Sequence, residues 1–136
     1  MEFMLIPIMI FCHIVDDFYL QGLLAQYKQK EWWEHNAPNK LYHNDYKTSL
    51  VIHSMSWAFM IQLPILVWMF VTNTFSTIAC LMYICAWLIN IVFHAFVDNA
   101  KANNHTISLT FDQATHLIQI LLTWVFWRSL VFSTTL

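Results

Sequence analysis

Residues 77–98 read TIACLMYICAWLINIVFHAFVD, an apolar run ending in a histidine and an aspartate. Its length is enough to cross a bilayer as a helix. His94 and Asp98 share one helix face, because four residues at about 100° each nearly close one turn. Asn90 extends that stripe one turn earlier. Ionisable groups in a membrane helix are costly and face a bundle interior, where a partner waits. Three other apolar segments supply partners: His13 with Asp17, His53, and Asp112 with His116. The sequence therefore predicts a small membrane bundle built around a metal site.

Composition agrees. Of 136 residues, 59% are hydrophobic and 10% charged, where a soluble domain carries about 25% charged residues. Mean hydropathy is +0.52. One glycine and three prolines leave no flexible linker. The net charge of −2, with no basic run, excludes an electrostatic footprint for nucleic acid. Cys12, Cys80 and Cys85 lie in apolar segments, form no CxxC pair and read as buried, inert thiols.

The pattern predicts an all-α fold, a four-helix transmembrane bundle forming a single membrane domain over residues 1–136. The spans fall at about 3–24, 50–71, 77–98 and 111–131. The N-terminal stretch has no positive n-region and carries His13, Asp16 and Asp17, so it reads as a retained first helix rather than a signal peptide. Pro64 is tolerated within the second span. Between Lys28 and Lys47, Trp32, Trp33, Tyr42 and Tyr46 among polar residues suit an interfacial belt, with a turn at Asn36-Ala37-Pro38-Asn39. His35 and His43 read as solvated loop residues. Thr72 to Ser76 forms a short connection, and Asn99 to Thr110 a polar loop.

Depth carries the functional argument. In an antiparallel bundle His13, Asp17, His53, His94, Asp98, Asp112 and His116 all fall towards one end, a coincidence that composition does not impose. Imidazoles and carboxylates form a ligand set for a divalent metal, zinc first, with manganese or iron as alternatives. Seven ligands exceed the need of one zinc, so one or two ions fit. Gln21, Asn90 and Gln113 are candidates to orient ligands from a second layer. Asp16 is a candidate general base, and Lys47 and Lys101 are candidates to neutralise a substrate phosphate. The reaction expected is hydrolysis of a phosphoester or related bond in a lipid or lipid-linked substrate. The alternatives are an ion or proton carrier acting as an oligomer, and a metal-stabilised structural or regulatory protein. Against a carrier, the far half offers little beyond Gln62, Asn73 and a few hydroxyls.

The pattern His13-x3-Asp17-Phe18-x-Leu20-Gln21, then Lys28, His53, His94-x3-Asp98-x2-Lys101 and Asp112-Gln113-x2-His116 resembles a small bacterial and phage membrane family, domain of unknown function 3307. The stretch from Gln29 to Tyr46 is longer than that family implies. The HxxxD pairs also resemble, in spacing alone, the ligand scheme of zinc-dependent phospholipase C and single-strand nuclease enzymes, and of inner-membrane metal-dependent hydrolases. The resemblance implies a bacterial inner-membrane location.

Five lysines lie on one side of the spans, in the loops after segments one and three, and Arg128 alone on the other. By the positive-inside rule both termini are extracytoplasmic. Reporter fusions at Leu136 and within 36–39 check this; cytoplasmic activity from the Leu136 fusion overturns the orientation.

Overall fold

The computed structural model describes residues 2–134, and every regular element among them is helical. A 3-10 turn over Glu2–Met4 leads into α1 (Leu5–Val15), which continues without interruption as a π turn over Asp16–Leu20. Two short helices follow, α2 (Leu24–Tyr27) and α3 (Lys30–Asn36), then a 3-10 turn at Lys40–Tyr42. Three long helices complete the chain: α4 (Asp45–Thr72), α5 (Thr77–Ala102) and α6 (Leu109–Thr134).

The first segment differs most from the sequence expectation of one span over 3–24. The Gln21 amide reaches back five residues to the Asp16 carbonyl at 3.1 Å. This wider turn lets the adjacent Asp16 and Asp17 both be buried, and π turns of this kind recur at functional sites. Gly22 then takes φ +46, a left-handed conformation that a side chain would strain, and the helix ends there. The other boundaries follow from capping. Asn73, at φ +52, ends α4, while the Thr74 amide bonds the Met69 carbonyl at 3.1 Å. Ser76 accepts from the Ala79 amide at 3.1 Å and starts α5. Helix α5 runs on to Ala102, so the expected loop from Asn99 shrinks to residues 103–108; Asn103 closes its end, donating to Asn99 Oδ1 at 2.9 Å. Ser108 caps the start of α6 through the Phe111 amide at 3.2 Å.

The long elements form a ring. Helix α4 packs against α1 and α5, and α6 closes the circuit against α5 and α1. Helices α2 and α3 lie across α4 at the lysine-rich end. The half of the bundle away from them is filled by Leu5 and Met9 of α1, by Trp57, Ile61, Ile65 and Met69 of α4, and by Ile120, Trp124 and Trp127 of α6. At that end Arg128 stacks over Phe3 and Trp124, 4.8 and 5.3 Å from their ring centres.

The distribution of polarity is inverted relative to a water-soluble domain. Among the described residues, buried polar and charged side chains outnumber buried hydrophobic ones, while Leu81, Leu88, Val92, Phe93 and Phe96 line the outside of α5. Two helices, Lys40–Thr72 and Thr77–Ala102, are long and apolar enough to cross a membrane. Of the most apolar window in α5, only 17% is buried within the protein, so that surface needs an apolar surrounding. The cysteines are all free, and none is fully buried: Cys12 and Cys80 are half-buried and Cys85 is exposed on the outer face, where a helix turned outward presents even its small residues.

A lysine at Leu88, which is 51% exposed, separates the two possible surroundings. In a bilayer Leu88→Lys should cost ~3 kcal/mol of insertion free energy and lower the membrane-extracted yield. Unchanged membrane extraction with improved aqueous solubility would contradict an apolar surrounding for α5.

Candidate metal centre

Three helices and the π turn bring the polar residues together near the lysine-rich end. Asp16 and Asp17 come from the π turn, His53 from the third turn of α4, His94 and Asp98 from α5, and Asp112 and His116 from α6. All are buried; His94, Asp112 and His116 are wholly inaccessible.

The ligand-type atoms fall into two adjoining sets that share His94 and Asp98. In the first, His53 Nε2 lies 3.3 Å from Asp17 Oδ1, 3.3 Å from Asp98 Oδ2 and 3.1 Å from His94 Nε2. One proton at most sits on His53 Nε2, so it donates in only one of these contacts, while Asp98 Oδ2 also accepts from Lys28 Nζ. Donors bound to one tetrahedral zinc at ~2.0–2.1 Å stand about 3.3 Å apart, which matches these separations. In the second set, His116 Nε2 lies 3.5 Å from Asp98 Oδ1 and 3.4 Å from Asp112 Oδ1. His94 stacks on His116 with ring centres 4.2 Å apart. Asp98 thus directs one oxygen to each set. Asp17, His53 and His94 form one group able to hold a metal ion, and His94, Asp98 and His116 another. Asp17 Oδ1, Asp112 Oδ1 and His116 Nε2, which face these sets, are buried without a hydrogen-bond partner, as are the second ring nitrogens, Nδ1, of His94 and His116.

The surrounding groups fix which atoms face inward. Gln113 Nε2 donates to Asp17 Oδ2 at 3.0 Å and to Asp112 Oδ2 at 3.1 Å, leaving both Oδ1 atoms turned to the imidazoles. Lys101 Nζ also holds Asp112 Oδ2, at 2.8 Å, and is itself a third exposed at the rim. Asp16 accepts from Ser56 Oγ at 2.6 Å and places its other oxygen 4.0 Å from His53 Nδ1, an arrangement that favours a proton on that nitrogen and a lone pair on Nε2. Gln21 donates to the Asp17 carbonyl and steadies the π turn.

Other expected residues fall elsewhere. His13 receives the Trp57 Nε1 proton on Nδ1 at 2.7 Å and meets Gln113 Oε1 through Nε2 at 3.1 Å, so both its ring nitrogens are engaged outside the two sets. Asn90 lies deeper, donating to Thr123 Oγ1 at 2.9 Å and accepting from Gln119 at 2.8 Å. These residues extend the polar interior at the level of Gln62. Lys47 is exposed, its ammonium 5.8 Å from the ring centre of its neighbour Tyr46, with no contact to the centre among the described residues.

Sequence spacing missed Lys28, which lies buried against Asp98 Oδ2 at 2.5 Å. Asn103 helps place it, donating to the Lys28 carbonyl at 3.1 Å and accepting from the Lys30 amide at 2.7 Å. Sequence reasoning also missed Trp57, although it follows His53 by four residues on the same face; it stacks on His94 with ring centres 4.2 Å apart. Comparison with protein-family models, curated proteins and solved structures finds no match for this chain.

Truncating Asp98 strands the Lys28 ammonium in the interior. Asp98→Ala should destabilise the protein by ~3–5 kcal/mol, and adding Lys28→Met should recover part of that loss. Thermal unfolding in mild detergent measures both; equal stability of Asp98→Ala and wild type contradicts a buried ion pair.

Proposed function

We propose that the protein is an integral membrane metalloprotein that hydrolyses a phosphoester or related bond of a lipid or lipid-linked substrate at the cytoplasmic interface. On this reading α1 with its π turn and α6 join α4 and α5 as membrane elements. Both termini are extracytoplasmic, the location is a bacterial inner membrane, and the chain falls with domain of unknown function 3307. The observation that carries the proposal is the convergence of unpartnered acceptors around the shared Asp98.

The donor set suits zinc, with manganese or iron as alternatives, in one or two ions. Asp17, His53, His94 and Asp98 would hold one ion, and Asp98, Asp112 and His116 the other. A bound ion supplies an activated water and polarises a phosphoryl oxygen. With His94 committed to the first ion, the three remaining donors of the second set would leave room for such a water, as hydrolytic sites do. Asp16 acts through His53, fixing its tautomer. Gln113 clamps the outer oxygens of Asp17 and Asp112. Lys101, at the rim beside Asp112, is the cation best placed to meet an incoming phosphate. The apolar half beneath excludes water.

A second reading, a metal-stabilised structural protein, is favoured by the complete burial of His94 and His116. Protein purified in mild detergent should retain about one or two zinc ions, with His94→Ala lowering that content. With zinc or manganese added, it should release product from a panel of phospholipids and polyprenyl phosphates. Gln113→Ala should lower metal affinity or turnover about 10–100-fold. Metal retained by wild type with no product from any lipid would transfer the assignment to the structural reading. Protein that holds no metal and keeps its usual stability would overturn both.

A further inference from the structure

A lateral groove of about 520 Å³ lies between α5 and α6, within the range of ligand sites. It begins beside Phe93 and Thr115, the residues immediately before His94 and His116, and runs to Ala86 and Ser129. Along α6, the fourteen steps from Thr115 to Ser129 cover ~21 Å at ~1.5 Å per residue. One leaflet of hydrocarbon is ~15 Å thick, half of a ~30 Å core, so the groove spans a leaflet from the level of the centre inward.

Its lining is apolar in effect as well as composition. Of the five polar residues it reaches, Asn90, Gln119 and Thr123 bond to one another, Gln119 Nε2 donating to Asn90 Oδ1 at 2.8 Å and Asn90 Nδ2 to Thr123 Oγ1 at 2.9 Å. The Thr115 and Ser129 hydroxyls donate to the Phe111 and Phe126 carbonyls at 2.8 Å, which leaves Gln119 Oε1 without a partner. Ala86 is the small residue that leaves space at the deep end, and Phe93 and Leu122 present hydrocarbon, 60% and 64% exposed. The groove therefore selects a flexible apolar chain whose polar end lies level with the metal centre.

We propose that this groove binds the hydrocarbon tail of the substrate, a single acyl or prenyl chain whose phosphate head sits at the centre; this rests on the lipid-hydrolase reading above. The tail sets substrate choice: long-chain phosphates bind, and neutral lipids with the same tail do not compete.

The test uses zinc-treated full-length protein in phosphatidylcholine vesicles with a lysophosphatidic acid carrying a diazirine at its tail terminus. Labelled peptides are mapped by mass spectrometry. Labelling should concentrate on residues 86–93 and 115–129, about tenfold above exposed Val67 and Ile78, and a monoacylglycerol with the same tail should not reduce it. Ala86→Trp and Leu122→Trp should each abolish that concentration at unchanged metal content. Labelling spread evenly over the exposed helix faces, or retained in both filled variants, overturns the proposal. So does loss of a dimer in Ala86→Trp with labelling unchanged, which would assign the groove to a second copy. Grouped labelling by a wild type that releases no product supports the groove and removes only the catalytic reading.

Discussion

Desolvating four carboxylates at one level of the bundle is the constraint that shapes the rest of this structure. Asp16, Asp17, Asp98 and Asp112 are each at most 6% exposed, and an isolated buried charge costs several kcal/mol after relaxation. Two ammonium groups answer part of that cost, Lys28 on Asp98 and Lys101 on Asp112. Four negative and two positive groups still leave two negative charges when the imidazoles are neutral. A divalent cation would supply that charge and also a partner for the Oδ1 atoms of Asp17 and Asp112. The fold reads as a consequence: the π turn brings adjacent aspartates inward, α5 and α6 are held in register by Lys101 and Asp112, and the α2–α3 segment is carried over the centre by Lys28 and Asn103.

The same constraint explains what the sequence disclosed. His94 with Asp98 and Asp112 with His116 repeat at four residues, a spacing that survives in any straight helix, so their shared faces and common depth were readable. His53 and Trp57 obey the same rule. The pair His13 and Asp17 has that spacing too, yet the chain changes its helical pitch at Asp16, and only Asp17 joins the ligand sets while His13 turns to Trp57 and Gln113. Pitch changes of this kind leave no signature in hydrophobic periodicity. Lys28 stood in the quoted pattern but carried no site role there, for a different reason. Its partner is 70 residues away, and its position depends on the reversal at Gly22 and on contacts from Asn103. The inverted polarity of the bundle was legible from composition, and the outward face of α5 bears that inversion most fully.

The polar interior does not stop at the centre. Asn90, Gln119 and Thr123 continue it along α5 and α6, at the level of Gln62. Their hydrogen bonds close largely on one another and tie α5 to α6. Around and beyond them Ile61, Ile65, Met69 and Ile120 form an apolar core. The cluster of ionisable groups is thereby confined to the end where Lys101 reaches the rim.

The central claim is that a divalent cation completes the buried centre. The most direct measurement is the thermal unfolding of the full chain in mild detergent, titrated with zinc after chelation. Stabilisation should grow with the logarithm of free zinc, reaching ~2.7 kcal/mol at about one hundred times the dissociation constant. The same titration should be flat in a variant carrying both His53→Ala and His116→Ala. A wild-type unfolding midpoint that is indifferent to chelator and zinc alike would contradict the claim.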